Sequence, residues 1–85
     1  MAYQVELRPA ALRDFNRLPL EIQRRIRPAV DRLATNPRPP GVEKLAAQVN
    51  RYRIRVGDYR IVYEIRDAVL LIMVFRIAHR REIYR

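Results

Sequence analysis

Apolar and polar residues alternate strictly along residues 51–65, and a two-residue turn signal divides this stretch in its middle. The apolar positions hold tyrosine, isoleucine and valine, and such a period of two is typical of a β-strand with one buried face. Gly57-Asp58 interrupts the alternation, and glycine at the first of two turn positions favours a type II′ hairpin turn. The pattern therefore predicts two antiparallel strands joined by a two-residue loop.

A two-residue loop fixes the register of the hairpin, so the residues that face each other can be named. Arg55 should face Arg60, and Arg51 should face Glu64 as its ion partner. Because opposite residues share a face, one face is apolar: Tyr52, Ile54, Val56, Tyr59, Ile61 and Tyr63. The other face collects four cations, which we call the arginine face: Arg51, Arg53, Arg55 and Arg60. Like charges directly opposite destabilise a hairpin, so this face is predicted to bind an anion; the alternative is an ordinary solvated surface.

Two helices are predicted before the hairpin. Residues 2–7 first alternate as a strand does, and Pro9 then suits the opening turn of a helix. Pro19 ends this helix and can open the next one, whose apolar positions recur at helical spacing: Ile22, Ile26, Val30 and Leu33. Pro28 lies inside the second helix and predicts a kink. The two helices should form a hairpin that covers the apolar face of the sheet.

The remaining segments complete the predicted fold. Residues 35–41 form a loop by composition, and residues 42–45 form a short strand or extended segment. Residues 69–75 are apolar without alternation, which predicts a central strand buried on both faces, and a basic tail follows at 79–85. The order β-α-α-β-β-β predicts one α+β domain over residues 1–85: a two-helix hairpin packed on one face of a small, mostly antiparallel sheet.

The net charge of +9 narrows the class of partner. Arginine supplies nearly all of the excess, because Lys44 is the only lysine among 18 basic residues. A small domain this basic points to a polyanion or an acidic protein as its partner. Arginine recognises phosphate through a planar, bidentate fork that lysine lacks, so phosphate fits this composition.

The sequence lacks several residue types that commonly act in catalysis or metal binding. The chain has no cysteine, which excludes disulfides and thiolate chemistry and favours a reducing cytoplasm. It has no serine, which excludes a Ser-His-Asp triad. His79 is the single histidine and the acidic residues are scattered, so we expect no metal and no cofactor. The sequence shows no apolar run of transmembrane length and no signal peptide, so we expect a cytoplasmic protein that does not contact the membrane.

Cations on an open sheet surface can support chemistry on RNA. They hold a phosphate and stabilise the extra negative charge of its transition state, and cleavage through the RNA's own 2′-hydroxyl requires no metal. The arginine face should form one wall of a shallow groove. The groups expected around this groove are Arg53, Arg55, Arg60, His79, Arg80, Arg81 and Tyr84. Arginine is a poor base because its pKa lies above about 12. We therefore assign the arginines to charge stabilisation, and Tyr84 or His79 to proton transfer.

Three stretches of the chain resemble a known family: Lys44-Leu45, the run from Tyr52 to Tyr63, and the tail from Ala78 to Arg85. They are similar to the RelE/ParE superfamily of bacterial type II toxins, on the RelE side, and the resemblance covers essentially the whole chain. It implies a small ribosome-dependent endoribonuclease that cuts the mRNA codon in the ribosomal A site and leaves a 2′,3′-cyclic phosphate. It also implies a cognate antitoxin that wraps the toxin, and contact with operator DNA only through the antitoxin complex.

The resemblance also implies roles for individual residues. The family's two basic residues on the first hairpin strand fall on Arg53 and Arg55, its arginine after the turn on Arg60, and its tail arginine and tyrosine on Arg80 and Tyr84. From the resemblance and the chemistry of the residues together, we predict four catalytic residues: Arg60, Arg80, Tyr84 and His79. We likewise predict five RNA- or phosphate-binding residues: Arg53, Arg55, Arg51, Arg81 and Lys44. A further arginine of the family falls on Ala46, so one phosphate contact is missing.

Two other functions remain open for this fold. One is a ParE-like toxin that inhibits DNA gyrase, although ParE-like chains generally lack the full set of basic and tyrosine residues found here. The other is an inactive family member that acts only in an operator-binding toxin–antitoxin complex.

Overall fold

The computed structural model describes residues 2–47 and 49–83, so Tyr84 lies outside the described residues. Five strands form one sheet: β1 (Gln4–Leu7), β2 (Glu43–Lys44), β3 (Arg51–Val56), β4 (Tyr59–Arg66) and β5 (Leu71–His79). Three helices accompany them: α1 (Pro9–Arg17), α2 (Leu20–Arg32) and α3 (Arg80–Ile83). The strand order is β1-β5-β4-β3-β2, with β1 parallel to β5 and every other pair antiparallel. The predicted α+β fold with a mostly antiparallel sheet is confirmed.

The core lies between the helix hairpin and one face of the sheet, as predicted. Helices α1 and α2 contribute Ala11, Ile26, Ala29, Val30 and Leu33 to it. The sheet contributes Tyr52, Ile54, Ile61, Tyr63, Ile65, Ile72, Val74 and Ile77. We call this side of the sheet the helix side and the other the open side. None of the described helices is long and apolar enough to cross a membrane.

The register of the β3–β4 hairpin matches the prediction at each of its pairs. Arg55 lies opposite Arg60, and Arg51 lies opposite Glu64. Gly57 has a φ of +59°, whereas Asp58 is not among the residues with positive φ, as a type II′ turn requires. Glycine is therefore needed at the first turn position and not at the second.

Prolines set the helix boundaries as expected. Pro9 occupies the first turn of α1, and Pro19 is the residue that caps the start of α2. Helix α2 continues past Pro28 to Arg32, so the missing backbone N–H does not end the helix. The kink expected at Pro28 remains a prediction.

The apolar run at 69–75 differs from its prediction in two ways. Val69 belongs to a 3₁₀ turn and Leu70 has a φ of +51°, so β5 begins only at Leu71. The strand lies between β1 and β4, but the described helices cover only its helix side. Met73 and Phe75 on the open side are consequently half-buried, and the prediction of burial on both faces is wrong.

A β-bulge at Phe75 interrupts the pairing of β5 with β4. Tyr63 pairs with Val74 and Val62 pairs with Arg76, so Phe75 has no partner across the ladder. Asp14 of α1 caps the irregular backbone, because its Oδ2 accepts hydrogen bonds from Ile77 N–H at 3.0 Å and from Arg76 Nε at 2.7 Å. An extra residue shifts the alternation of every residue that follows, so the bulge decides which face the end of β5 presents.

Candidate nucleic-acid interface

Arg55 and Arg60 form the centre of the open side, beside the Gly57-Asp58 turn. Arg60 is buried with 9% exposure, and its Nη1 donates to the Tyr59 carbonyl oxygen at 3.5 Å. Arg55 lies directly opposite, is exposed, and donates from Nε to the Gly57 carbonyl oxygen at 3.1 Å. A buried cation next to an exposed one creates a fixed positive potential at this end of the sheet.

The other two members of the arginine face have acidic neighbours. Arg53 pairs with Glu43 at 3.0 Å, and its side chain is only 15% exposed. Arg51 lies 4.0 Å from Glu64, which confirms the predicted ion partner. Glu43 was missed because it reaches Arg53 only through β2, a strand of two residues. Arg51 and Arg53 thus each have a carboxylate neighbour on an adjacent strand.

His79 lies on the helix side, so the prediction that it faces the groove is wrong. It pairs with Tyr59, and the two rings contact edge to face with centroids 5.4 Å apart. Its Nδ1 accepts a hydrogen bond from the Arg81 backbone N–H at 3.3 Å. It also lines a cavity of about 250 Å³ together with Asp14 and Arg17 of α1. The bulge at Phe75 explains this position, since strict alternation from Val74 would have placed His79 on the open side.

The tail forms a short helix where the sequence indicated only a basic tail. Arg80 begins α3, and its backbone N–H donates to the Asp58 carbonyl oxygen at 2.8 Å. This bond places the start of α3 beside the hairpin turn, next to Arg55 and Arg60. The side chains of Arg80 and Arg81 are both exposed. Tyr84, one of the two residues predicted for proton transfer, falls outside the described residues.

Lys44 does not join the arginine face. It pairs with Tyr52 across β2 and β3, and residues directly opposite share a face of the sheet. Because Tyr52 points into the core, Lys44 projects towards the helix side, where it is exposed. The structure therefore brings together Arg51, Arg53, Arg55 and Arg60, with Arg80 nearby, and separates them from His79 and Lys44.

A polar network at the opposite end of the sheet holds the proline-rich loop. Arg38 pairs with Asp67 at 2.9 Å, and Asp67 also accepts a hydrogen bond from the Tyr3 hydroxyl. The Tyr63 hydroxyl donates to the Pro37 carbonyl oxygen at 2.6 Å. These contacts tie residues 37–38 to β4 and to the turn that follows it, and they tie that turn to Tyr3. No local sequence pattern predicts them, because the partners are up to 64 residues apart.

Four pKa values are shifted within this network. The hydrogen bond to Asp67 raises the pKa of Arg38. The hydrogen bond from Arg38 lowers the pKa of Asp67, and the hydrogen bond to Asp67 raises the pKa of Tyr3. Burial raises the pKa of the Tyr63 phenol well above its ordinary value. Each shift favours the protonation state that the hydrogen bonds require at neutral pH. Among the described residues, no three His or acidic side chains come close enough to hold a metal ion.

The fold and sequence match a known toxin family. Residues 5–84 match the family described as the ParE toxin of the type II toxin–antitoxin system parDE. A protein of Escherichia coli named as a RelE-like toxin is 32% identical over 82 residues, which span 94% of this chain and 85% of that protein. The sequence match therefore covers nearly the whole chain.

Solved structures of RelE proteins share the fold. RelE in the RelE–RelB complex of the archaeon Pyrococcus horikoshii OT3 superposes with a TM-score of 0.83, at 28% identity, over 94% of this chain and 97% of that chain. The RelBE2 toxin–antitoxin complex of Mycobacterium tuberculosis gives a TM-score of 0.82, at 25% identity, over 93% and 99% of the two chains. The chain belongs to the RelE/ParE superfamily of type II toxin–antitoxin toxins.

Proposed function

We propose that this chain is the toxin of a type II system that cuts mRNA in the ribosomal A site and so stops translation. The observation that carries the proposal is the buried residue Arg60, which lies opposite exposed Arg55 and beside the start of α3. A phosphate at this position would meet positive charge from β3, β4 and the tail. The relatives are named as a RelE-like toxin and as RelE in a complex with RelB, which supports the role of a toxin.

The arginines act on the phosphate rather than on protons. In RNA cleavage the 2′-oxygen attacks the adjacent phosphorus, the bond to the 5′-oxygen breaks, and a 2′,3′-cyclic phosphate and a 5′-hydroxyl form. Arg60 and Arg80 stabilise the added negative charge of the transition state, and Arg55 and Arg53 orient the phosphate. We assign proton transfer to Tyr84, because His79 lies across the sheet from these groups.

The partner that restrains the toxin is a cognate antitoxin. The solved relatives from Pyrococcus horikoshii and Mycobacterium tuberculosis are toxin–antitoxin complexes. On this chain, Leu12 and Leu20 are exposed by 50% and 59% on the helix layer, where Arg24 and Arg27 flank them. An acidic, amphipathic antitoxin segment fits this combination of apolar and basic surface. Operator DNA would be bound only through the complex.

The test is translation-dependent cleavage of a defined mRNA, mapped by primer extension after brief induction in cells. Arg60→Ala and Arg80→Ala should lose about 10²-fold or more in cleavage rate, the usual effect of removing a group that stabilises transition-state charge. Arg24→Ala on α2 is the matched control and should cleave normally. Because Arg60 is buried, Arg60→Lys and a thermal unfolding curve separate lost chemistry from lost fold. Full cleavage by both alanine variants would contradict the assignment.

The ParE name of the matching family supports a second candidate, a toxin that inhibits DNA gyrase. Induction would then produce DNA breaks and gyrase inhibition while mRNA stays intact. An inactive toxin that serves only in an operator-binding complex would cause no growth arrest when expressed without its antitoxin. The primer-extension test, run beside a gyrase supercoiling assay, separates the three functions.

A further inference from the structure

Phe75 is the one described aromatic residue on the open side of the sheet. The other five described aromatic side chains belong to the core or pack against it: Tyr3, Phe15, Tyr52, Tyr59 and Tyr63. Phe75 lies at the β-bulge, has no cross-strand partner, and is half-buried. Bulges re-aim side chains and are frequent beside functional sites. An apolar ring on a charged surface therefore needs an explanation that core packing does not supply.

Two arginines flank this ring. The guanidinium carbon of Arg51 lies 3.8 Å from the ring centroid, and that of Arg8 lies 5.1 Å from it. Arg8 follows β1, and its backbone N–H donates to the Val74 carbonyl oxygen at 2.9 Å, which fixes its place beside β5. Cation–π attraction holds each guanidinium at the ring, but the two cations repel each other. An anion between or above them would relieve that repulsion.

The polar environment of Arg51 is incomplete in the described part of the chain. Its Nε is buried without a hydrogen-bond acceptor. Its acidic neighbour Glu64 lies 4.0 Å away and is shared with Arg66, which also pairs with it. Glu6, which lies on the same side of the sheet at β1, accepts a hydrogen bond from Gln4. Arg51 therefore stacks on Phe75, while its carboxylate neighbour lies at the outer limit of an ion pair.

We propose that Arg51 and Phe75 form a stacking platform for one base of single-stranded RNA, with Arg8 binding an adjacent phosphate. Stacking on aromatic rings and on guanidinium planes is how proteins hold unpaired RNA bases. The platform lies on the same face as Arg55 and Arg60, so an extended strand would cross both. This inference rests on the proposed RNA-directed function and adds a second subsite to it, one that reads a base rather than a phosphate.

The experiment measures binding of the full chain to a 2′-O-methyl RNA oligomer, which cannot be cut through its 2′-hydroxyl, and to an abasic oligomer of the same length. Phe75→Leu and Arg51→Lys both keep the charge and remove the planar stack. Each should bind the base-containing oligomer about 5- to 10-fold more weakly, the lower end of the effect of losing one stacked base. Both variants should bind the abasic oligomer as the wild type does.

Phe15→Leu makes the same chemical change on the helix side and should leave both affinities unchanged. Wild-type affinity of Phe75→Leu for both oligomers would overturn the inference and leave Phe75 as a packing residue. An equal loss for both oligomers would also overturn it, because the effect would not depend on the base. The binding assay needs no ribosome, so a wild type that fails to cut mRNA would refute the proposed function without refuting the platform.

Discussion

Arg60 is the one charged residue that the described part of the chain buries. Taking a guanidinium out of water costs free energy unless neighbours compensate, so the fold must hold this charge in a defined place. Its position is fixed by the ladder, between Arg55 on β3 and Ala78 on β5. Charge that is oriented before the substrate arrives needs no reorganisation during reaction, which is the property that electrostatic catalysis requires.

Tyr63 provides a prediction about pH. Its hydroxyl, fully buried, donates to the Pro37 carbonyl oxygen at 2.6 Å, and burial raises its pKa above the ordinary value. The unfolded phenol ionises first, near pH 10 by the reference value, so the native state retains more protons and stability falls as pH rises beyond about 10. Urea unfolding at several alkaline pH values should show this fall for the wild type.

Tyr63→Phe should lose part of this alkaline dependence, because the phenol is gone. At neutral pH the variant should be less stable by about 1 kcal/mol, the net value of one hydrogen bond. A wild type whose stability stays flat through this alkaline range would contradict the assignment of the shifted pKa to Tyr63.

Asp14 provides a prediction about the bulge. Its carboxylate accepts from both Arg76 and the Ile77 backbone N–H, and its side chain is 16% exposed. Asp14→Asn would weaken these three hydrogen bonds and should cost about 1–3 kcal/mol in the free energy of unfolding, measured with urea. Asp31→Asn on the exposed face of α2 is the matched control and should cost little. Equal effects of the two changes would mean that the cap does not hold the bulge.

At the level of strands and helices, local sequence patterns predicted some contacts and missed others. The β3–β4 hairpin was predicted pair by pair, because alternation and a two-residue turn depend only on neighbouring residues. The bulge at Phe75 was not predicted, because an apolar run contains no signal for the position at which one residue is left without a cross-strand partner. Because this extra residue shifts the alternation of β5, His79 lies on the helix side. Glu43 was likewise missed, because its contact with Arg53 depends on a two-residue strand.

The turn between β3 and β4 provides a prediction about stability. A Cβ added to Gly57 would meet only the end of the Arg25 side chain, at 4.0 Å, so space is not limiting. Its φ of +59° is the constraint, and Gly57→Ala should therefore cost about 1–2 kcal/mol in the free energy of unfolding. Asp58→Ala at the second turn position, where φ is not positive, should cost much less. A turn that tolerates both changes equally would contradict the type II′ assignment.

The whole molecule carries positive charge on two sides, which raises the question of which side binds RNA. The helix layer exposes Arg13, Arg17, Arg24, Arg25, Arg27 and Arg32. The open side carries the arginine face, where Arg55 and Arg60 lie together at one end. Net charge alone, at +9, would draw any polyanion to both sides. A single arginine contributes more than the others to RNA affinity only if it contacts a phosphate that is bound at a defined position.

The salt dependence of RNA binding distinguishes the two sides. Each phosphate contact on a single strand contributes about 0.7 to the slope of log K against log salt concentration. Arg55→Gln on the open side should therefore reduce the slope by about 0.7, because it removes one contact. Arg24→Gln removes the same charge from α2 and should leave the slope unchanged. Fluorescence anisotropy with the uncleavable oligomer at several salt concentrations measures both slopes. Equal reductions in the two variants would show that the whole basic surface attracts RNA diffusely, and that the arginine face is no more than part of it.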